Sequence, residues 1–122
     1  MLSSRRSLLL AIGSAAIPVA AAAQGVNPFR GSKGTPLKAD DLKALGDATT
    51  KLLDQAQLGV GASEGWSNPV SGISGNVTAG QSVQRHGLAC RVTNYAITGP
   101  GNEPQRKVSL TWCKTKDGWK VG

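Results

Sequence analysis

Two strand-like runs dominate the second half of this chain: LACRVTNYAIT at residues 88–98 and QRKVSLTWCK at residues 105–114. The residues between them, GPGNEP, are strong turn formers, so the pattern predicts an antiparallel hairpin. If Thr98 pairs with Gln105, Cys90 lies directly opposite Cys113. Opposed side chains have Cβ atoms about 4.5–5.5 Å apart, so this register predicts a cross-strand disulfide between the two cysteines.

The same register assigns the remaining side chains to two faces of the hairpin. The face of Cys90 and Cys113 is mostly small or polar, whereas the opposite face is more apolar. We expect the apolar face to pack against a helix, with Arg91 opposite Trp112 and able to stack on its ring. The side chains predicted to meet the helix are Tyr95, Val108, Leu110 and Trp112.

An amphipathic helix is predicted upstream of the strands and ends near Gln57. Thr35 with Pro36 in the first turn, or alternatively Asp40, would cap its start. The residues of its apolar face recur every three or four positions and so form one stripe along the helix. They are Leu42, Leu45, Thr49, Leu52, Leu53 and Ala56.

Turn signals mark the rest of the domain. Asn68-Pro69 is a turn dipeptide, a short strand-like run surrounds Val77, and Asp117-Gly118 is typical of a two-residue hairpin turn. Together these patterns predict an α+β domain, in which one N-terminal amphipathic helix packs on a small antiparallel sheet of about four strands, closed by one disulfide. A loop of about 24 residues closed in this way would contribute roughly 3 kcal/mol of stability.

The first 23 residues have the pattern of a signal peptide. Arg5 and Arg6 precede an uncharged stretch from Leu8 to Ala23, which ends in small residues. We predict cleavage after Ala23, and the paired arginines resemble a twin-arginine signal. A retained membrane span is the alternative, but the stretch is shorter than the ~20 residues a bilayer requires. Residues 24–34 would then form a flexible lead segment and residues 35–122 the domain, with no transmembrane span after cleavage.

The charge balance points to an anionic partner. Two of the 14 Lys and Arg lie in the predicted signal, which leaves 12 against seven acids and a net charge of +5. Such a domain favours an anionic envelope component or an envelope protein, although ordinary solubility is the simpler explanation of the charge. Export argues against nucleic acid as a partner.

Cofactor and metal chemistry find little support in the sequence. The two cysteines and His86 are too few for a zinc site, which needs about four ligands. The glycines lack phosphate-loop spacing, so we expect neither a metal nor a cofactor. Ser82 and Glu64 could be nominated beside His86 for catalysis, but no motif joins them, and we predict that the protein is not an enzyme.

A candidate binding surface combines cations with scarce aromatic residues. Trp residues in so small a domain commonly pack in the core, and Lys residues commonly solvate a sheet edge, so both interpretations stay open for this surface. Its members are Trp66, Arg91, Lys114, Lys116, Trp119 and Lys120.

Five short motifs carry a family resemblance: Trp66-Ser67-Asn68-Pro69, Ser71-Gly72 to Val77, Cys90-Arg91, Cys113-Lys114 and Asp117-Gly118-Trp119. In this order they resemble the C-terminal domain of the rickettsial-type 17-kilodalton surface antigen family, over about residues 42–121. The resemblance implies a Gram-negative envelope location and a small non-enzymatic domain.

The chain departs from this family in several places. It has no cysteine for lipid attachment after the leader and no Gly-rich membrane-associating segment. Lys114 stands where a second arginine is usual, and Trp112 where a small residue is expected. The missing cysteine and Gly-rich segment favour the periplasm over attachment to the outer membrane, and roles that the family ties to the positions of Lys114 and Trp112 do not carry over.

The functional hypothesis is therefore an exported envelope protein, located in the periplasm or associated with the outer membrane, with a structural or interaction role through a basic, Trp-bearing sheet. The alternative is a periplasmic small-ligand binding module or inhibitor. A hydrolase would need a catalytic set that the motifs do not provide.

Overall fold

The computed structural model describes Phe29 and residues 33–122; the predicted signal peptide and most of the lead segment lie outside these residues. Helix α1 (Ala39–Leu53) precedes five strands, which form one antiparallel sheet in chain order. The strands are β1 (Ser63–Asn68), β2 (Ile73–Arg85), β3 (Leu88–Thr98), β4 (Arg106–Thr115) and β5 (Gly118–Val121). The α+β class is confirmed, but the sheet has five strands instead of about four, and the helix begins well inside the chain rather than at its N-terminus.

Helix α1 begins and ends differently from the prediction. The carboxylate of Asp41 reaches back to accept the Lys38 backbone N–H at 2.9 Å, so neither Thr35 nor Asp40 caps the start. Thr35 instead donates to Glu103. The helix ends at Leu53 rather than near Gln57, which leaves Ala56 exposed, whereas the other five members of the predicted stripe are buried.

The predicted β3–β4 register is confirmed. Cys90 lies opposite Cys113, Arg91 opposite Trp112 and Tyr95 opposite Val108. The two cysteines form a disulfide, with their Cα atoms 3.9 Å apart. Loop composition and strand pattern were therefore sufficient to place a covalent link.

Strands β1 and β2 differ most from the sequence-based expectation. A short run around Val77 was predicted, yet β2 spans Ile73–Arg85 and pairs with both neighbours. His86 and Gly87 both have positive φ, at 51° and 76°, which is the backbone of the tight two-residue turn that matches strand twist. Residues 82–85, which are polar apart from Val83, belong to the strand because their main chain pairs with β3.

The last hairpin turn is shifted by one residue. Thr115 pairs with Gly118, so Lys116 and Asp117 form the turn instead of Asp117 and Gly118. The Thr115 hydroxyl accepts the Asp117 N–H at 3.1 Å and donates to the Gly118 carbonyl at 2.7 Å. Gly118, at φ 114°, then begins β5.

The core lies between α1 and one face of the sheet, which we call the helix face. Leu45 and Leu52 pack with Tyr95 there, and Leu53 packs with Trp112 in an adjoining cluster, as predicted. The buried strand residues of this face are Trp66, Asn68, Ile73, Val77, Ala79, Thr93, Tyr95, Ile97 and Trp112.

The segment before α1 contributes to this core. Phe29 is 4% exposed and packs edge-on against the Tyr95 ring, with centroids 5.3 Å apart. Leu37 is buried in the same cluster. Within the described residues, no helix is both long enough and apolar enough to cross a bilayer.

Candidate binding surface

The opposite side of the sheet carries the disulfide, and we call it the disulfide face. Its side chains follow from strand alternation and from the pairing registers. Most are small or polar, in contrast to the helix face. The polar, charged and cysteine members are Ser63, Ser67, Ser74, Asn76, Thr78, Arg85, Cys90, Asn94, Thr98, Lys107, Ser109, Thr111, Cys113, Thr115 and Lys120.

Charge is distributed unevenly between the two faces. The disulfide face has three cations, Arg85, Lys107 and Lys120, and no strand residue on it is acidic. All seven acids lie elsewhere: four in or just after α1, Glu64 on the helix face, Glu103 in the β3–β4 loop and Asp117 in the last turn. The fold thus produces a uniformly positive face.

A groove of about 460 Å³ opens on this face. Ala96 lies between Asn76 and Lys107 in one row across the sheet, and Asn94 lies between Thr78 and Ser109 in the next. The small Ala96 side chain between longer neighbours forms the floor of the depression. Eight residues line it, two of which, Tyr95 and Val108, direct their side chains to the helix face. The other six are Asn76, Thr78, Asn94, Ala96, Lys107 and Ser109.

The six residues of the predicted binding surface do not form one patch. Trp66 is only 9% exposed and belongs to the core, and its Nε1 has no hydrogen-bond partner among the described residues. Arg91 donates to the carbonyls of Gly80 at 2.9 Å and Leu58 at 3.0 Å. The guanidinium therefore ties the β2 bulge to the segment after α1.

The other four predicted residues lie around the β4–β5 hairpin but point in different directions. Lys114 Nζ is 5.7 Å from the centre of the Trp119 ring, and Trp119 Nε1 donates to Asp54 at 3.2 Å. Lys116 lies exposed in the turn. Lys120, opposite Cys113, is the only one of the six on the disulfide face.

A buried carboxylate explains the Asn-Pro and Ser-Gly motifs. Asp41 is fully buried and accepts hydrogen bonds from the Asn68 amide at 2.9 Å, the Ser71 hydroxyl at 2.6 Å and the Lys38 N–H. Burial by itself raises the pKa of Asp41, but the hydrogen bonds from Ser71, Lys38 and Asn68 outweigh it and hold this pKa below its usual value. These motifs therefore join the β1–β2 turn to the start of α1.

A second polar network crosses the core. Thr49 Oγ1 donates to the Leu45 carbonyl at 2.9 Å, so the Tyr95 hydroxyl donates to Thr49 at 2.8 Å and accepts the Trp112 Nε1–H at 3.0 Å. Burial raises the pKa of Tyr95, in spite of these hydrogen bonds. The network fixes Trp112 against the helix.

The disulfide is enclosed by the end of the chain. Both cysteines are under 5% exposed, and the Gly122 N–H donates to the Thr111 carbonyl at 2.9 Å. Arg85 in turn donates to the Gly122 carbonyl at 3.2 Å. These contacts shield the bridge, which supports a structural role for it.

The groove was not anticipated from the sequence because Asn76 and Thr78 were not assigned to a long strand. The sequence did contain a signal for this strand, because polar and apolar residues alternate over residues 73–79, with Gly75 in one of the apolar positions. His86, the other residue weighed for chemistry, is exposed in the β2–β3 turn. Within the described residues, no cluster of His, Cys, Asp and Glu could hold a metal ion.

Comparisons of the chain with protein-family models, with curated proteins and with solved structures found no match.

Proposed function

We propose that this chain is an exported, non-enzymatic envelope protein of the surface-antigen type, which contacts an anionic envelope partner through its disulfide face. The observation that carries the proposal is the charge of that face. Arg85, Lys107 and Lys120 share it with no acidic strand residue. A surface of one sign attracts partners of the opposite sign.

The helix side of the molecule provides the contrast. Lys43 is 3.2 Å from Asp47, and Lys51 is 3.7 Å from Glu64, so acids offset part of the positive charge there. Lys107 has no ion-pair or hydrogen-bond partner for its side chain among the described residues. Its charge is available to a ligand.

The envelope location is supported by two features. The leader at residues 1–23 is typical of a signal peptide, and a structural disulfide is typical of oxidising compartments. The surface-antigen motifs agree with this location. We therefore place the protein in the periplasm, with association to the outer membrane as the alternative.

The groove supports a second candidate, a small-ligand binding module. Its volume of about 460 Å³ lies within the range of small-molecule sites. Two amides, two hydroxyls and one ammonium group lie among its lining side chains, so a polar ligand would find hydrogen-bonding partners there. This candidate differs from the first in predicting saturable binding of a defined compound.

Retention of the purified protein on isolated Gram-negative envelopes tests the proposal. We expect binding at low ionic strength that weakens as salt is raised, because exposed charges are screened over about 10 Å at 0.1 M. The triple variant Arg85→Gln/Lys107→Gln/Lys120→Gln should bind about tenfold more weakly. The matched control, Lys38→Gln/Lys43→Gln/Lys51→Gln, has the same change in net charge but alters the helix side.

Equal loss of retention in both triple variants would contradict the proposal, because it would show that overall charge, not the disulfide face, governs binding. Salt-independent retention would also contradict it. Circular dichroism of both variants verifies that the fold is intact.

A further inference from the structure

We propose that the groove over Ala96 is a specific site for an acidic sugar unit, a hydroxylated ring that carries a carboxylate or phosphate group. The inference deepens the proposed function and rests on its placement of an anionic partner on the disulfide face.

The shape of the groove suits a compact ring. Ala96 forms the floor where two longer side chains, Asn76 and Lys107, flank it on neighbouring strands. The row formed by Thr78, Asn94 and Ser109 closes one side. Directly opposed side chains on neighbouring strands are about 5 Å apart, so the polar groups surround the floor instead of forming a single line.

The hydrogen-bonding groups match sugar hydroxyls. Amides and hydroxyls both donate and accept, as sugar hydroxyls do, whereas a simple inorganic anion needs donors only. The side chains of Asn76 and Thr78 have no hydrogen-bond partner within the described part of the chain. The Ser109 hydroxyl donates to Asn94 Oδ1 at 2.6 Å, which holds the Asn94 amide in a fixed orientation beside the groove.

The charge of the groove selects for an anion. Lys107 is the only charged residue in its lining, and no acidic strand residue shares the face. A carboxylate or phosphate on the ring would gain a charge-assisted hydrogen bond from this ammonium. A neutral sugar would forgo it.

Amide-resolved NMR titration of the disulfide-intact protein tests the site. The probes are tri-galacturonate, glucose 1-phosphate, glucose and inorganic phosphate. We expect one or both acidic sugars to produce saturable shifts at the amides of Asn94, Ala96 and Ser109. Glucose should bind at least about tenfold more weakly because it lacks the charged hydrogen bond to Lys107, and inorganic phosphate at least about tenfold more weakly because it lacks the ring hydroxyls. The stronger of the two acidic probes then distinguishes a carboxylate source from a phosphate source.

Three variants sharpen the assignment. Lys107→Gln should weaken the acidic probes about tenfold and leave glucose unchanged. Ala96→Phe should abolish saturation by filling the floor. Ser67→Phe is the matched control, since it adds the same ring to an exposed position of the same face outside the groove, and it should bind like the parent protein.

The outcomes separate this inference from the proposed function. Inorganic phosphate as strong as glucose 1-phosphate, or no saturation with either acidic sugar, would overturn the sugar site even if envelope retention persists. Saturation that survives Ala96→Phe in a folded variant would overturn the location. Envelope retention that fails while the acidic sugars still saturate the groove would reject only the proposed contact with the envelope.

Discussion

The two faces of the sheet use polar residues in opposite ways. On the helix face, Asn68, Thr93 and Tyr95 are buried, and each side chain is hydrogen-bonded within the protein. On the disulfide face, Asn76 and Lys107 are exposed, and neither side chain has a partner within the described residues. Side chains alternate between the two faces along each strand, so one sheet carries both sets.

The physical reason for this difference is burial. A buried polar group that lacks a partner costs about 1–3 kcal/mol, so the helix face satisfies its buried polar side chains internally, with Trp66 Nε1 as the exception among the described residues. Polar groups on an exposed face are hydrated, and a ligand can replace that water. The helix face should therefore govern stability and the disulfide face binding, with the bridge as an exception.

The largest effect is expected at Asp41. Asp41→Ala removes the acceptor of three donors, so the free energy of unfolding should fall by about 4 kcal/mol, at about 1–3 kcal/mol for each donor left without its charged acceptor. Guanidinium unfolding at pH 7 measures this change. The control, Asp40→Ala, alters an exposed neighbour in the same helical turn and should cost about 0.5 kcal/mol. Similar losses in the two variants would show that helix charge, not the hydrogen-bond network, stabilises this region.

The disulfide belongs to the binding face but acts on stability. Cys90→Ser with Cys113→Ser removes a link between residues 23 positions apart and should lower stability by about 3 kcal/mol and the melting temperature by about 15 °C. Calorimetry of the variant and of the oxidised parent protein measures the shift. An unchanged melting temperature would mean that the bridge is not structural.

Protonation of Asp41 at low pH should lower the stability of the folded protein by less than the Asp41→Ala substitution does. The pKa of Asp41 is lowered in the folded protein, so its contribution is fully present above the unfolded pKa of about 3.9 and is lost as pH falls through the folded value. Stability should therefore decline below about pH 4, and the Asp41→Asn variant should show a flatter profile. A decline of equal slope in this variant would assign the acid sensitivity to other carboxylates.

Glu103 is a second source of acid sensitivity. Hydrogen bonds from the hydroxyl and backbone N–H of Thr35 lower the pKa of Glu103. Like Asp41, Glu103 therefore stabilises the folded protein at neutral pH, and this contribution is lost as the pH falls. Combining Glu103→Gln with Asp41→Asn should flatten the profile further than either change alone.

The elements that the sequence predicted well are those with local signals. The GPGNEP loop fixed the register of β3 and β4, and this placed Cys90 opposite Cys113. The leucine spacing identified the buried stripe of α1. In both cases, residues near one another in the chain determine the geometry.

The elements that it predicted poorly depend on tertiary contacts. The start of α1 is set by Asp41, whose other partners, Asn68 and Ser71, lie far along the chain. Much of β2 is polar or glycine, and it becomes a strand because β1 and β3 pair with it on both sides. The groove was missed because it needs β2, β3 and β4 together.

The smallest effect on stability is expected for the cations of the disulfide face. Arg85→Gln/Lys107→Gln/Lys120→Gln leaves the buried network untouched, and exposed substitutions of this kind usually change stability by under about 0.5 kcal/mol each. Arg85 adds one exposed hydrogen bond to Gly122, which is of minor weight at a chain terminus. Guanidinium unfolding of this variant should thus resemble that of the parent protein while its envelope retention falls. A large loss of stability would show that these cations hold the sheet together, and the separation of the two faces by role would then fail.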